Sequence, residues 1–156
     1  DDGRTSIFDY CSIPTLVRWY DNGNCGIQKL NNKERKIRAF YKKVLRLCNG
    51  EKAISEGAFF DLMYVNYHNL NPNKQYLYLR HYENETLLIA VNFDSQDAIV
   101  YADIPQHAFD FLKIDSGTYF MKELISGKQK TVEFSPNAKF ELHIPAHNGV
   151  VWKIVK

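Results

Sequence analysis

The sequence predicts a mainly β protein: an eight-stranded antiparallel β-sandwich of Greek-key type preceded by one or two α-helices. Three observations predict it. Residues 1–50 place apolar side chains at helical spacing, whereas residues 51–156 switch to short runs that alternate apolar and polar residues. Turn residues punctuate the second region at regular intervals, as expected of a sandwich. The 156 residues are 45% hydrophobic and 14% aromatic, enough to bury a core.

In the helical region, Ser12 followed by Ile13 and Pro14 predicts an N-cap with proline in the first turn. A short apolar patch follows (Leu16, Val17, Trp19, Tyr20), and Asp21-Asn22-Gly23 stops it. Asn31 with Glu34 three residues on reads as a capping box. Ile37, Phe40, Tyr41, Val44, Leu45 and Cys48 then recur at helical spacing until Asn49-Gly50. So large a stripe needs a partner surface, and a two-helix segment offers little to cover it. The expected domain organisation is 1–50 helical and 51–156 sandwich.

Strands are expected near 59–67, 75–83, 86–93, 97–104, 118–125, 129–135, 138–144 and 149–155. Phe140, Leu142 and Ile144 oppose Glu141 and His143, and Val150, Trp152 and Ile154 oppose Lys153, each with the period of two that a half-buried strand requires. "TLLIAVNF" is apolar on both faces, which suits a central strand. "PQHAFDFL", residues 105–112, breaks the rhythm and reads as a helical turn.

Charge excludes some functions. With 20 basic and 18 acidic residues, net +2, no long-range field favours nucleic acid. No stretch approaches the roughly 20 apolar residues of a membrane-spanning helix. Cys11, Cys25 and Cys48 are odd in number and lack Cys-x-x-Cys spacing, so small buried apolar groups are the expected reading. His143 and His147 are separated by Pro145 in a strand-to-turn pattern, which does not suit a metal site; no metal or cofactor is expected. Asn84-Glu85-Thr86 fits the N-glycosylation pattern in an expected hairpin.

Tyr76, Tyr78 and Tyr82 fall on one strand face with Arg80, and Tyr64, Tyr67 and Tyr101 are further candidates for the same surface. Two readings stay open for them. Exposed coplanar rings would stack on the apolar C–H face of sugars; alternatively the rings are buried and only the hydroxyls are wet.

Four phrases, in order, resemble the end of α-amylase-family enzymes, glycoside hydrolase family 13: "DGRTSIFDYCSIPTLVRWY", "ERKIRAFYKKVLRLCNGEKAISEG", "QYLYLRHYENETLLIAVNF" and "LHIPAHNGVVWKI". The segment Lys33–Cys48 resembles the last helix of that family's (β/α)8 barrel, "KAISEG" the link into its C-terminal sandwich (domain C), and "LLIAVNF" a characteristic strand of that sandwich. Cys11 stands where relatives carry Trp. The resemblance implies a chain that continues a barrel lying upstream, with the stripe Ile37–Cys48 docked on it, and a parent that acts on α-glucosidic bonds with retention. Such a mechanism needs a carboxylate and a carboxylic acid about 5–5.5 Å apart, carried in the family by "GxRxD", a later Glu and "NHD". Neither phrase occurs here; Asp9 stands five residues beyond Arg4 instead of two, so no catalytic residue is expected. Expected partners are the barrel of the same chain and α-glucan, with self-association through the helix stripe if that stripe is uncovered. A stand-alone carbohydrate-binding sandwich is the alternative. The compartment stays open, with an extracytoplasmic location favoured for a starch-active parent.

Overall fold

The computed structural model describes residues 13–156. The expected cap at Ser12, the departure at Cys11 and most of the first family phrase lie outside the described residues. Two compact units are present, one ending at Leu45 and the other running from Arg46 to Lys156.

In the first unit, helix α1 (Pro14–Tyr20) has Ile13 at the cap position and Pro14 in its first turn. It ends where Asp21 enters the left-handed region (φ 43°). Helix α2 (Asn32–Gly50) begins in the expected capping box: Glu34 N–H donates to Asn31 Oδ1 at 2.9 Å, and Asn31 N–H donates to Glu34 Oε2 at 2.9 Å. Glu34 also accepts from the Arg18 guanidinium and, at 2.7 Å, from the Thr15 hydroxyl, tying α1 to α2. Arg18 first, then the Asn31 N–H and Thr15, hold the Glu34 carboxyl down to about 2. Because the folded value lies below the ordinary 4.5, the stabilisation is complete above pH 4.5 and is lost as pH falls toward about 2. Amide protection factors in α1 are therefore expected to fall as pH drops across that window, and Glu34→Gln is expected to remove this pH dependence.

The second unit begins with the last turn of α2 and a single helical turn, α3 (Lys52–Ser55), followed by Gly57. A Cβ at Gly57 would stand 2.4 Å from the Ala53 carbonyl oxygen and 2.7 Å from that of His81, so only glycine lets the chain pass between turn and sheet. Strand β1 (Ala58–Asp61) is shorter than the run expected over 59–67. Asp61 Oδ1 accepts the Met63 N–H at 2.8 Å and starts a helical turn, α4 (Met63–Asn66). The buried Asn66 amide fixes that turn, donating to the Leu62 and Asp103 carbonyls at 2.8 and 2.9 Å. Local hydrogen bonding thus ends the expected strand early.

The remaining strands fall close to their expected places: β2 (Gln75–Tyr82), β3 (Glu85–Asn92), β4 (Ala98–Asp103), β5 (Gly117–Glu123), β6 (Gln129–Phe134), β7 (Lys139–Ile144) and β8 (Asn148–Val155). "QHAFDFL" forms helix α5 (Gln106–Leu112), ending at Lys113 with φ 57°. All pairings are antiparallel, in a six-stranded sheet ordered β1-β2-β3-β8-β5-β6 and a two-stranded sheet β4-β7. The chain crosses to the small sheet at β4, returns for β5 and β6, crosses again at β7, and comes back as β8 between β3 and β5. That last insertion makes β3 central. Leu87, Leu88, Ile89 and Ala90 are buried on alternating faces, as "TLLIAVNF" predicts.

The main core lies between the sheets. Leu77, Leu79, Leu88, Met121, Trp152 and Ile154 meet Val100, Ala102, Phe140, Leu142 and Ile144, with Phe109 and Leu112 of α5 closing one side. Asn92, at the end of β3, knots the crossovers: its amide donates to the Gln96 carbonyl at 2.8 Å and the Ile144 carbonyl at 3.3 Å, while its oxygen accepts from Gln75 at 2.9 Å. The cysteines differ from expectation. Cys25 is exposed in a left-handed turn (φ 50°) and Cys48 is half-buried; both are free thiols.

Candidate functional site

The strand period places Tyr76, Tyr78, Arg80 and Tyr82 on the outer face of the six-stranded sheet, opposite the core-facing Leu77 and Leu79. Rings of Tyr76 and Tyr78 stand 5.5 Å apart and meet at 42°, and Phe59 of β1 adds a ring 5.4 Å from Tyr78. The row is therefore stepped, not coplanar. Tyr78 and Tyr82 pack on a second, small core of Ala53, Leu87 and Ile89 beneath α3, and Lys52 lies over the Tyr82 ring. Burial raises the Tyr78 hydroxyl pKa despite the opposing charge of Arg80; burial followed by Asp61 raises that of Tyr76. Tyr101 belongs to the other sheet, on β4, so the structure does not bring it to this row. Tyr67 stacks edge-on with His68.

Polar groups fasten α3 to the same face. Arg80 donates to the Ala53 and Ile54 carbonyls at 2.9 and 2.7 Å, satisfying the end of the turn. Lys153 lies between Glu51 (2.6 Å) and Glu85 (2.9 Å), and Glu85 also accepts the Ala53 N–H at 2.9 Å. Burial pushes the Glu85 carboxyl up, but Lys153 and the Ala53 N–H outweigh it and leave the carboxyl below its ordinary value. Glu51 and Glu85 share the Lys153 cation. With the Ala53 N–H they fasten α3 to the sheet. The buried Glu123 is likewise committed, to three backbone N–H groups of Ile125, Ser126 and Val151.

The expected stripe on α2 is open to solvent. Tyr41 is 63% and Leu45 59% exposed, Ile37 and Phe40 are exposed, and Val44 and Cys48 are half-buried; no residue of α2 is buried.

An aromatic cleft at the free edge of β1 was not legible in the sequence. Phe59, Phe60 and Asp61 of β1, Tyr64 of α4, and His107 and Phe111 of α5 line an open concavity of about 350 Å³. Phe60 is its floor, with ring centroids of His107, Phe111 and Tyr64 at 5.1, 5.9 and 6.5 Å. The Tyr64 hydroxyl is hydrogen-bonded to the His107 ring. Burial, then Asp61, raises the Tyr64 pKa. Tyr64, counted from the sequence among candidates for the tyrosine row, pairs here instead. Only the 43-residue return through α5 brings His107 to it, a separation that no local pattern reports. Among the described residues no cluster of His, Cys, Asp and Glu could hold a metal ion, and no helix is long and apolar enough to cross a membrane.

The sequence matches no protein-family model and no curated protein. Solved structures do share the fold. An α-amylase from Geobacillus thermoleovorans, complexed with acarbose, superposes with a TM-score of 0.58 at 17% identity, over 81% of this chain and 24% of that one. A maltogenic α-amylase from Thermotoga neapolitana gives 0.57 at 15% identity, over 81% and 27%. An Anoxybacillus α-amylase gives 0.53 at 18% identity, over 77% and 22%. These are the enzymes that the sequence phrases resemble, and the chain spans about a quarter of their length. Over about four fifths of its length the chain shares its fold with part of an α-amylase.

Proposed function

We propose that this chain is the C-terminal, non-catalytic part of an α-amylase-family glycoside hydrolase acting on α-glucans, and that it stabilises a catalytic barrel encoded upstream. The observation that carries the reading is the fold shared with α-amylases over 81% of this chain but only 24% of theirs. The uncovered stripe of α2 supports it, because a side chain of that size gains about 1.5–3 kcal/mol when fully buried, and Tyr41 and Leu45 are left largely in water. Committed carboxylates also support it: Glu51 and Glu85 serve Lys153, and Glu123 serves backbone N–H groups. The parent would hydrolyse or transfer at α-glucosidic bonds by double displacement, using barrel acids that this segment does not carry.

The coding sequence upstream of Asp1 tests the reading. A continuous frame with barrel strands, "GxRxD" and "NHD" is the expected result; a start codon beside Asp1 would overturn it in favour of a self-standing sandwich. In the extended protein, Tyr41→Asp with Leu45→Asp is expected to lower the melting temperature. In the 156-residue chain alone, where both are exposed, the same changes leave the melting of the strand unit unchanged.

A further inference from the structure

We propose that the cleft at the β1 edge is a sugar-binding site that seats the C–H face of a glucopyranosyl unit, at a place distinct from the tyrosine row. Three chain segments build it, and each is held by the packed body of the second unit: β1 pairs with β2, Asn66 locks α4, and α5 buries Ala108, Phe109 and Leu112 in the core. The rings are thus presented on a firm scaffold.

Their arrangement suits a ring-shaped ligand. Relative to Phe60, the rings of Tyr64, His107 and Phe111 are inclined by 56°, 57° and 47°, so they wall a concavity instead of filling it. Phe111 is 62% and Tyr64 55% exposed, large aromatic faces left to water. At about 350 Å³ the cleft falls at the small end of ligand sites. The lining is mostly aromatic, with a few polar groups at its wall. Asp61 contributes to the wall, its Oδ1 already accepting the Met63 N–H, and the mutually hydrogen-bonded Tyr64 hydroxyl and His107 ring are the other polar groups of the lining.

A pyranose ring offers both complements: axial C–H groups for an aromatic face and equatorial hydroxyls that donate to a carboxylate and accept from a phenol or imidazole. A wholly apolar occupant would strip water from Asp61 without replacing it, at a cost. An anion would meet that carboxylate directly. A neutral, many-hydroxyl, flat-faced ligand uses both the aromatic faces and the polar wall. An organic cation such as choline, titrated in parallel, is expected not to compete with it. The preference for glucose rests on the α-glucan reading above; the site itself rests on the geometry.

Titration of the ¹⁵N-labelled 156-residue chain with maltotriose tests this, with cellotriose in parallel. Saturable shifts are expected at Phe60, Tyr64, His107 and Phe111. Phe111→Ala, a change at an exposed ring that leaves the core intact, is expected to weaken binding about tenfold. Asp61→Asn, which retains the oxygen that caps α4, is expected to weaken it by a smaller factor. Tyr76→Ala is expected to leave binding unchanged. Shifts confined to Tyr76 and Tyr78, binding indifferent to Phe111→Ala, or no binding of either sugar would overturn the site. Loss of the site in this way leaves the reading of the parent standing. Equal binding of cellotriose and maltotriose keeps the site and counts instead against the α-glucan preference.

Discussion

Phe134→Ala is expected to destabilise the strand unit by about 3–5 kcal/mol, read as a lower urea midpoint with an unchanged slope. Phe134 is fully buried at the end of β6, an edge strand. Its ring lies 5.0 Å from Phe109 of α5, 5.6 Å from Tyr119 of β5 and 5.3 Å from Phe140 of β7. It therefore joins three structural layers: the large sheet, the small sheet and the helix that bridges them. Truncation removes the transfer free energy of the ring and leaves a cavity that three fixed neighbours cannot close. Phe134→Leu, which keeps most of the volume, is expected to cost less than half as much. An effect for Phe134→Ala below about 1 kcal/mol would show that the two sheets do not share one core.

The second large effect is expected at Glu123. Its side chain is 2% exposed and accepts from Ile125 N–H at 3.0 Å, Val151 N–H at 3.0 Å and Ser126 N–H. Burial pushes this carboxyl up, yet the bonds from Ser126, Val151 and Ile125 together hold it below its ordinary value. Glu123→Ala strands three donors in a place water reaches poorly, and about 2–4 kcal/mol of stability is expected to be lost. The sign with pH follows from the lowered value. The ionised carboxylate contributes fully above the unfolded value of 4.5, and its contribution declines as pH falls below that toward the folded value. Wild-type stability is therefore expected to drop on acidification below pH 4.5 more steeply than that of Glu123→Ala. Parallel pH profiles would assign Glu123 no such role.

Legibility in the sequence followed the range of each interaction. The capping box at Asn31 and Glu34 is closed by neighbours three residues apart, so the sequence alone predicts it. Strand period is local too: β2, β7 and β8 fall where alternation places them, and β3 where its run apolar on both faces places it. The split into six strands and two depends on β8 entering between β3 and β5, a pairing across most of the unit that no window of sequence contains. At β1 a short-range competitor wins: Asp61 capping Met63 turns the second half of the expected strand into a helical turn. Asn92 and Gly57 were visible only as letters in family-like phrases. Their physical reasons, a crossover knot and a passage too narrow for a Cβ, need the third dimension. The tyrosine row was correctly placed on one face, but the 42° step between its rings and the packing beneath α3 were not readable. The cleft was invisible because residues 59–64 meet 107–111 only after folding.

On the proposed function, these 156 residues support a glycosidase without performing its chemistry. Turnover of dyed starch by the purified chain, set beside the same chain extended by its upstream coding sequence, tests this most directly. The account predicts turnover only for the extended protein, with no product from the 156-residue chain at any pH. Starch hydrolysis by the 156-residue chain alone would contradict it.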